Sequence, residues 1–497
     1  MTDPSAATSP KPPAHEPTVA EIAQRFAPAP RHRQLFCNRT LNLRSIKAIG
    51  YDMDYTLVHY HVHEWEGRAY AHLRQRLEAH GWPVGDLEFD SQSVIRGLVL
   101  DKRLGNLVKP NRFGYIKQAS HGTAPMPQEK LREVYGRTLV DLADTTRWMF
   151  VNTLFEISEG CMYAQLVDLL DAGKLPEVLG YEELYRRVRH TLDRAHLEGQ
   201  LKAEILARPD LYVDLDPDLP MALLDQRESG KKLLLITNSE WSYTQAMMTY
   251  AFDPFLPQGV RWRDLFSLIV VSSRKPSFFS NANPLYEVVS DDGLLRPCND
   301  NLQEGHIYYG GSAEKVEKSL GLDGDQIAYV GDHMLSDVHV SKKLQQWRTV
   351  AILRELEEEI LAVQSWQPQQ QRLSELMAEK ERLEHAFSQL RNLRQRQRSA
   401  HYAAVPDELA PRLPEVLGHL REQLVEVDAT IAPLVAESGA LNNARWGLMM
   451  RTGNDKSLFA RMVESHADVY TSRVANLLLA TPYVFLRSLR GTLPHDV

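Results

Sequence analysis

Residues 46–56 read Ile46-Lys47-Ala48-Ile49-Gly50-Tyr51-Asp52-Met53-Asp54-Tyr55-Thr56, an apolar run that stops abruptly at two acids. A short apolar run closed by carboxylates is how a buried parallel strand ends at the edge of an active site. In an extended chain, side chains two apart point the same way, so Asp52 and Asp54 face one cavity. Two carboxylates so close cannot both ionise cheaply unless a cation intervenes. Magnesium supplies that cation, because it takes oxygen ligands and leaves places for water and phosphate. The stretch therefore predicts Asp52 as a nucleophile that forms an aspartyl-phosphate. Asp54 is then the acid that protonates the leaving oxygen and afterwards activates water. The plainer alternative is two solvated turn acids capping a helix.

Three further segments resemble the first. Residues 232–237 (KLLLIT) lead into Asn238 and Ser239, residues 268–271 (LIVV) precede Ser272–Lys275, and residues 326–331 (QIAYVG) lead into Asp332 and Asp337. Helical periodicity follows over 243–250 and 336–344. Strands alternating with helices predict an α/β fold, a Rossmann-like, doubly wound parallel sheet that gathers ligands at the strands' carboxyl ends. Thr237 offers a hydroxyl there, the N–H groups of Asn238 and Ser239 offer an anion cradle, and Lys275 offers a charge for the phosphate. Asp332, with Asp52, Asp54 and Asp337, completes the expected magnesium ligands. About 170 residues separate the first two strands, too many for a crossover, so a large cap domain is inserted there.

The resulting plan is a tail over 1–30, core over 31–62, cap over 63–214, core again over 215–355, helical arms over 356–437 and a C-terminal segment over 438–497. The tail is rich in Pro, Ala, Ser and Thr and is expected to be disordered, with one helical turn near 19–26. In the arms Leu373, Leu376, Leu383, Phe387 and Leu390 recur at helical steps, as do Leu417, Leu420, Leu424, Val427, Ile431 and Leu434, with Pro406, Pro411 and Pro414 between them. That pattern predicts an antiparallel helical hairpin or coiled-coil pair, serving either an oligomer contact or packing within the chain.

The formal net charge of −8 argues against a chain built to coat nucleic acid or an anionic membrane. Three scattered cysteines exclude a disulfide framework and a thiolate zinc site. No apolar run is long enough to span a bilayer and no signal pattern opens the chain, so a cytoplasmic location is expected.

The four strand-end clusters resemble the motifs of the haloacid dehalogenase superfamily. The longer strings DMDYTL (52–57), RGLVLD (96–101), GNLVK (105–109), NTLF (152–155), RKPSFF (274–279) and GDHMLSD (331–337) are similar to one branch, the cytosolic purine 5′-nucleotidases acting on IMP and GMP. The resemblance covers roughly 35–353 and 445–495. It implies magnesium-dependent hydrolysis of nucleoside monophosphates, some phosphotransferase activity and a homo-oligomer, dimer or tetramer. It also implies a base and ribose pocket in the cap, with Phe155 stacking on the base beside Arg189, Asp193, His196 and Lys202. The spacing of 189, 193 and 196 puts those three on one helical face. Departures accompany the match. Glu156 follows Phe155 where an amide is expected, Leu335 replaces an aromatic of the animal enzymes, and Leu142 and Met462 replace polar effector contacts. Regulation by ATP therefore does not carry over.

His59, His61 and His63 alternate as a metal site could, or as a polar edge leading into the cap. Arg391, Arg394, Arg396 and Arg398 form a basic run that reads as a solvated face. Two competing functions remain: a phosphatase for another small ester such as a sugar phosphate, and a non-catalytic interaction protein using the arms.

Overall fold

The computed structural model describes residues 18–19, 28–197, 199–298, 302–399, 410–489 and 491, without the side chains of 194–197. The expected disordered tail and its helical turn fall largely outside these residues.

In chain order the elements that build the site are β1 (Phe36–Cys37), β2 (Ala48–Tyr51), α1 (Val62–Ala79), β3 (Val99–Asp101), β4 (Asn106–Pro110), β5 (Ile116–His121), β6 (Ala124–Pro125) and β7 (Trp148–Phe150). Then follow α2 (Ile157–Asp171), α3 (Tyr181–Leu197), β8 (Lys232–Ile236), α4 (Trp241–Phe252), β9 (Leu268–Val271), β10 (Leu285–Val288), β11 (Leu295–Pro297) and β12 (Ile307–Gly310). The last are β13 (Ile327–Gly331), β14 (Arg348–Ile352), α5 (Gln367–Arg398), α6 (Leu413–Gly439) and β15 (Val469–Thr471).

Ten strands form the main sheet in the order β1-β15-β14-β13-β2-β8-β9-β12-β10-β11. From β15 to β12 every pairing is parallel, and the antiparallel strands sit at the edges. The apolar runs explain why. In β2, β8, β9 and β13 alternate residues enter different cores: Ile49, Tyr51, Leu233, Leu235, Ile269 and Val330 pack on one face. Ala48, Leu234, Ile236, Val270, Ile327 and Tyr329 pack on the other. A strand buried on both faces must be apolar throughout, and period-two alternation splits its side chains between the layers.

The chain leaves the sheet after β2 through a tight loop in which the N–H groups of Thr56, Leu57 and Val58 all donate to the carbonyl of Met53. It returns beside its exit, since His59–Tyr60 pairs antiparallel with Val213–Asp214 as a two-stranded neck. Between these points lie α1, α2, α3 and a separate five-stranded antiparallel sheet of order β6-β5-β4-β3-β7. Helices α5 and α6 form the hairpin, with Lys380 Nζ 2.6 Å from Asp428 Oδ1 across the pair. Pro414 falls in the first turn of α6, where a missing N–H costs nothing. Only Leu376, Leu413, Leu417 and Ile431 are buried along these two helices. Among the described residues no helix is long and apolar enough to cross a membrane.

Candidate functional site

Strands β13, β2, β8 and β9 lie side by side at the centre of the sheet, so their carboxyl ends meet. Asp52 continues β2, its N–H donating to Val330 O at 2.9 Å. Asp332 follows β13. Asp337 sits in the π-helical turn Met334–His339, a geometry often found at functional sites. Gly331 makes this turn feasible, because a Cβ there would stand 2.6 Å from Asp337 Oδ2. Asp52, Asp332 and Asp337 offer carboxylate oxygens that lie within 4.8 Å of one another, the one such group of potential metal ligands among the described residues.

Lys275 closes the group. Its Nζ lies 2.7 Å from Asp52 Oδ1, 2.9 Å from Asp337 Oδ1 and 2.9 Å from the Tyr329 hydroxyl, which donates in turn to Ile236 O. Burial opposes its charge, but Asp337 and Asp52 hold its pKa well above the ordinary value. One ammonium cannot neutralise three buried carboxylates. Burial raises Asp52 well above its ordinary range against the pull of Lys275, with the charges of Asp337 and Asp332 adding to the rise. Burial, then the Asp337 charge, pushes Asp332 to about 7. The uncompensated charge and the all-oxygen donor set fit a hard divalent cation.

The β8 and β9 loops are tied together. Thr237 is fully buried and its Oγ1 accepts from Ser239 N at 3.0 Å. Asn238 turns its amide to the neighbouring loop, where Oδ1 accepts from Lys275 N at 2.6 Å and from Ser273 Oγ at 3.0 Å, while Nδ2 donates to Lys275 O. The Asn238 side chain thus fixes the lysine loop. Asp54, expected as both acid and metal ligand, has its carboxylate outside the group of three. Its Oδ1 accepts from the Tyr60 hydroxyl at 2.5 Å and its Oδ2 from Ser239 Oγ at 2.6 Å.

The expected base-pocket residues are spread over the insertion. Phe155 is partly buried in an aromatic group, its ring centre 4.6 Å from Tyr55, 5.5 Å from Trp65 and 6.5 Å from Tyr60. Arg189 donates to the fully buried Glu159 at 2.8 Å and pairs with exposed Asp193 at 3.3 Å. Lys202 reaches the core, with Nζ 3.2 Å from Ser239 Oγ. The side chain of His196, in α3, lies outside the described residues. Glu156 caps its own turn by accepting from Asn152 N at 2.7 Å, and burial with the nearby Glu159 charge pushes its pKa to about 8. His59 is buried in the neck, whereas His61 and His63 are exposed because α1 begins at Val62, so the three do not converge.

The sequence profile of the 5′ nucleotidase family matches residues 35–497. The chain belongs to the 5′ nucleotidase family. A 5′-nucleotidase domain-containing protein of Dictyostelium discoideum is 26% identical over 93% of this chain and 75% of its own length. Human 5′-nucleotidase domain-containing protein 2 is 26% identical over 89% and 81% respectively. Among solved structures, an archaeal β-phosphoglucomutase from Pyrococcus is 11% identical with a TM-score of 0.30, covering 62% of this chain and 87% of its own. A predicted phosphoglycolate phosphatase from Haemophilus somnus is 14% identical with a TM-score of 0.27, covering 62% and 85%.

In this member of the 5′ nucleotidase family the insertion also braces the acid loop, through residues that sequence reasoning left without a role. Thr153 Oγ1 donates to Asp332 Oδ2 at 2.9 Å. Arg96, almost wholly buried, donates to Asp332 O at 3.3 Å, pairs with Glu355 and rests on the Phe459 ring. Both stood inside the strings RGLVLD and NTLF, and that placement was the available signal. Lys109 of GNLVK is likewise buried and donates to the carbonyls of Trp446 and Leu448, tying β4 to the C-terminal segment.

Proposed function

We propose that the protein is a magnesium-dependent phosphohydrolase of purine nucleoside 5′-monophosphates, IMP and GMP with their deoxy forms. The observation that carries this reading is the group of Asp52, Asp332 and Asp337 closed by Lys275 at the central strand ends. Asp52, Asp332 and Asp337 would hold the metal. A bound magnesium ion would neutralise the carboxylates and the incoming phosphate together. Asp52 attacks phosphorus in line and Lys275 balances the charge that spreads over the phosphoryl oxygens. Thr237 and the Asn238 N–H line the phosphate's other side, and Ser239 N holds the Thr237 hydroxyl in place. Asp54 gives its proton to the departing ribose oxygen, then takes one from the water that releases phosphate from Asp52. Phe155 stacks on the base, and Arg189, Asp193, His196 and Lys202 contact base and ribose. A homo-oligomer in the cytoplasm is part of the same reading.

Phosphate release from a panel of nucleoside and sugar monophosphates with magnesium tests it. IMP and GMP are expected to lead, and Asp52→Asn to abolish turnover of all substrates. Phe155→Ala should raise KM for the purine esters selectively, and an unchanged KM would move the substrate class to another small phosphate.

A further inference from the structure

Asp54 belongs to a closed ring of five side chains drawn from separate parts of the chain. Tyr60, on the neck strand, donates to Asp54 Oδ1, and the Tyr243 hydroxyl of α4 lies 3.1 Å from the Tyr60 oxygen. Tyr60 has one hydrogen and gives it to the carboxylate, so Tyr243 is the donor between the two phenols. On the other side Ser239 donates to Oδ2, and Lys202 donates to Ser239. The Lys202 ammonium rests 4.6 Å from the centre of the Tyr243 ring, which completes the circuit.

The two halves differ in mobility. Tyr60 and Tyr243 are buried, and Tyr60 is wedged against Tyr55 and Trp65 with ring centres 5.3 and 4.3 Å away. Its hydroxyl cannot swing without displacing that packing. A serine hydroxyl turns freely about its own bond and can exchange one partner for another. A carboxyl group that must deliver a proton has to free one oxygen, and a terminal carboxylate torsion is broad unless something pins it.

We propose that Tyr60, backed by Tyr243, is a positioning residue that anchors Asp54 Oδ1 so that Oδ2 is the oxygen that serves the leaving group. This rests on the reading of Asp54 as the acid. When Asp54 is protonated the hydrogen sits on Oδ2 and the Ser239 contact reverses; as the bond from Asp52 to phosphorus forms and the phosphorus–ribose bond breaks, that proton passes to the ribose oxygen. Tyr60 keeps its own proton throughout. Ser239 yields its place at Oδ2 by turning.

The test is kcat/KM, which covers the steps through phosphoryl transfer, for IMP and for 4-nitrophenyl phosphate in the full-length protein. Nitrophenolate departs without a proton, so a misplaced acid harms only the ribose ester. Tyr60→Phe should lower kcat/KM for IMP by roughly 10- to 100-fold, with the value for 4-nitrophenyl phosphate within about threefold. Tyr243→Phe should shift the same ratio by less, and both should stay folded, melting within about 3 °C of the wild type. Equal loss on the two esters, or no loss on either, overturns the proposal. Asp54→Asn run alongside separates the two levels. A selective loss in Asp54→Asn with none in Tyr60→Phe removes Tyr60 alone, whereas an unselective Asp54→Asn removes the acid assignment and Tyr60 with it.

Discussion

At Asp332 the consequences of the charge imbalance can be measured. Burial and like charge put Asp332 at about 7, and burial puts Glu66 and Glu359 at about 7. Each folded value lies above the unfolded one, so the metal-free native state binds more protons than the unfolded chain. The stability these groups provide is full below about pH 4 and is lost as pH rises through 7. The depressed histidines, His59 at about 3 and His466 at about 4, mainly through burial, act below this range. Lys109, lowered by burial to about 8, acts above it. Between pH 6.5 and 8 the chelator-treated protein is therefore expected to melt at a falling temperature. Magnesium, by keeping Asp332 ionised, should bind more tightly across the same interval and flatten the fall. Melting curves with and without a chelator decide this, and a metal-free protein that gains stability over that interval contradicts it. Asp52, Asp54, Lys275 and Asp332 stood out as candidates because each follows within a few residues of an apolar run. Tyr60 and Tyr243 were not, because 183 residues separate partners that only the folded neck brings together.

Among elements, the turn ahead of α2 reaches the acid loop through Thr153. Thr153→Val removes the hydroxyl on Asp332 Oδ2 while keeping the side-chain shape. Losing a group that orients a metal ligand typically costs about 10- to 100-fold in affinity. Magnesium titration by calorimetry should show a loss in that range, with a drop of about 1 kcal/mol in unfolding free energy. The strands show where sequence reading stops. β2, β8, β9 and β13 announced themselves as apolar runs with acids, a hydroxyl or a lysine behind them. Val469–Thr471 joins the same sheet as a parallel strand, yet it spans three residues after Asp468 and carries no such ending. A strand that short is specified by its neighbours rather than by its own pattern. The arms were legible for the opposite reason, since their leucines repeat over several turns.

Across the whole molecule, Arg96 is one of the fastenings between insertion and sheet. It is buried against Glu355, the Asp332 carbonyl and Phe459, so Arg96→Met leaves Glu355 without its partner. Breaking such a pair costs about 3 kcal/mol, which urea unfolding should register. Activity should fall with it, because the Asp332 loop loses a support. Among the described residues no hydrogen bond or ion pair joins the hairpin to a site residue, and replacing residues 367–439 by a short linker should leave kcat within about twofold. A larger loss in a phosphate-release assay would show that the arms act on the site.

The outer margin of the main sheet has a consequence for synthesis. β1 and β15 pair with each other although they come from opposite ends of the chain, at Phe36↔Tyr470 and Cys37↔Val469. On the ribosome, β14 must wait for more than a hundred further residues to emerge before β15 can cover it. A nascent chain that stops short of Val469 carries β14 with an unmated row of amides and carbonyls, the kind of rim on which chains stick to one another. Premature termination between Ile352 and Val469 should thus yield aggregate rather than a weakened enzyme.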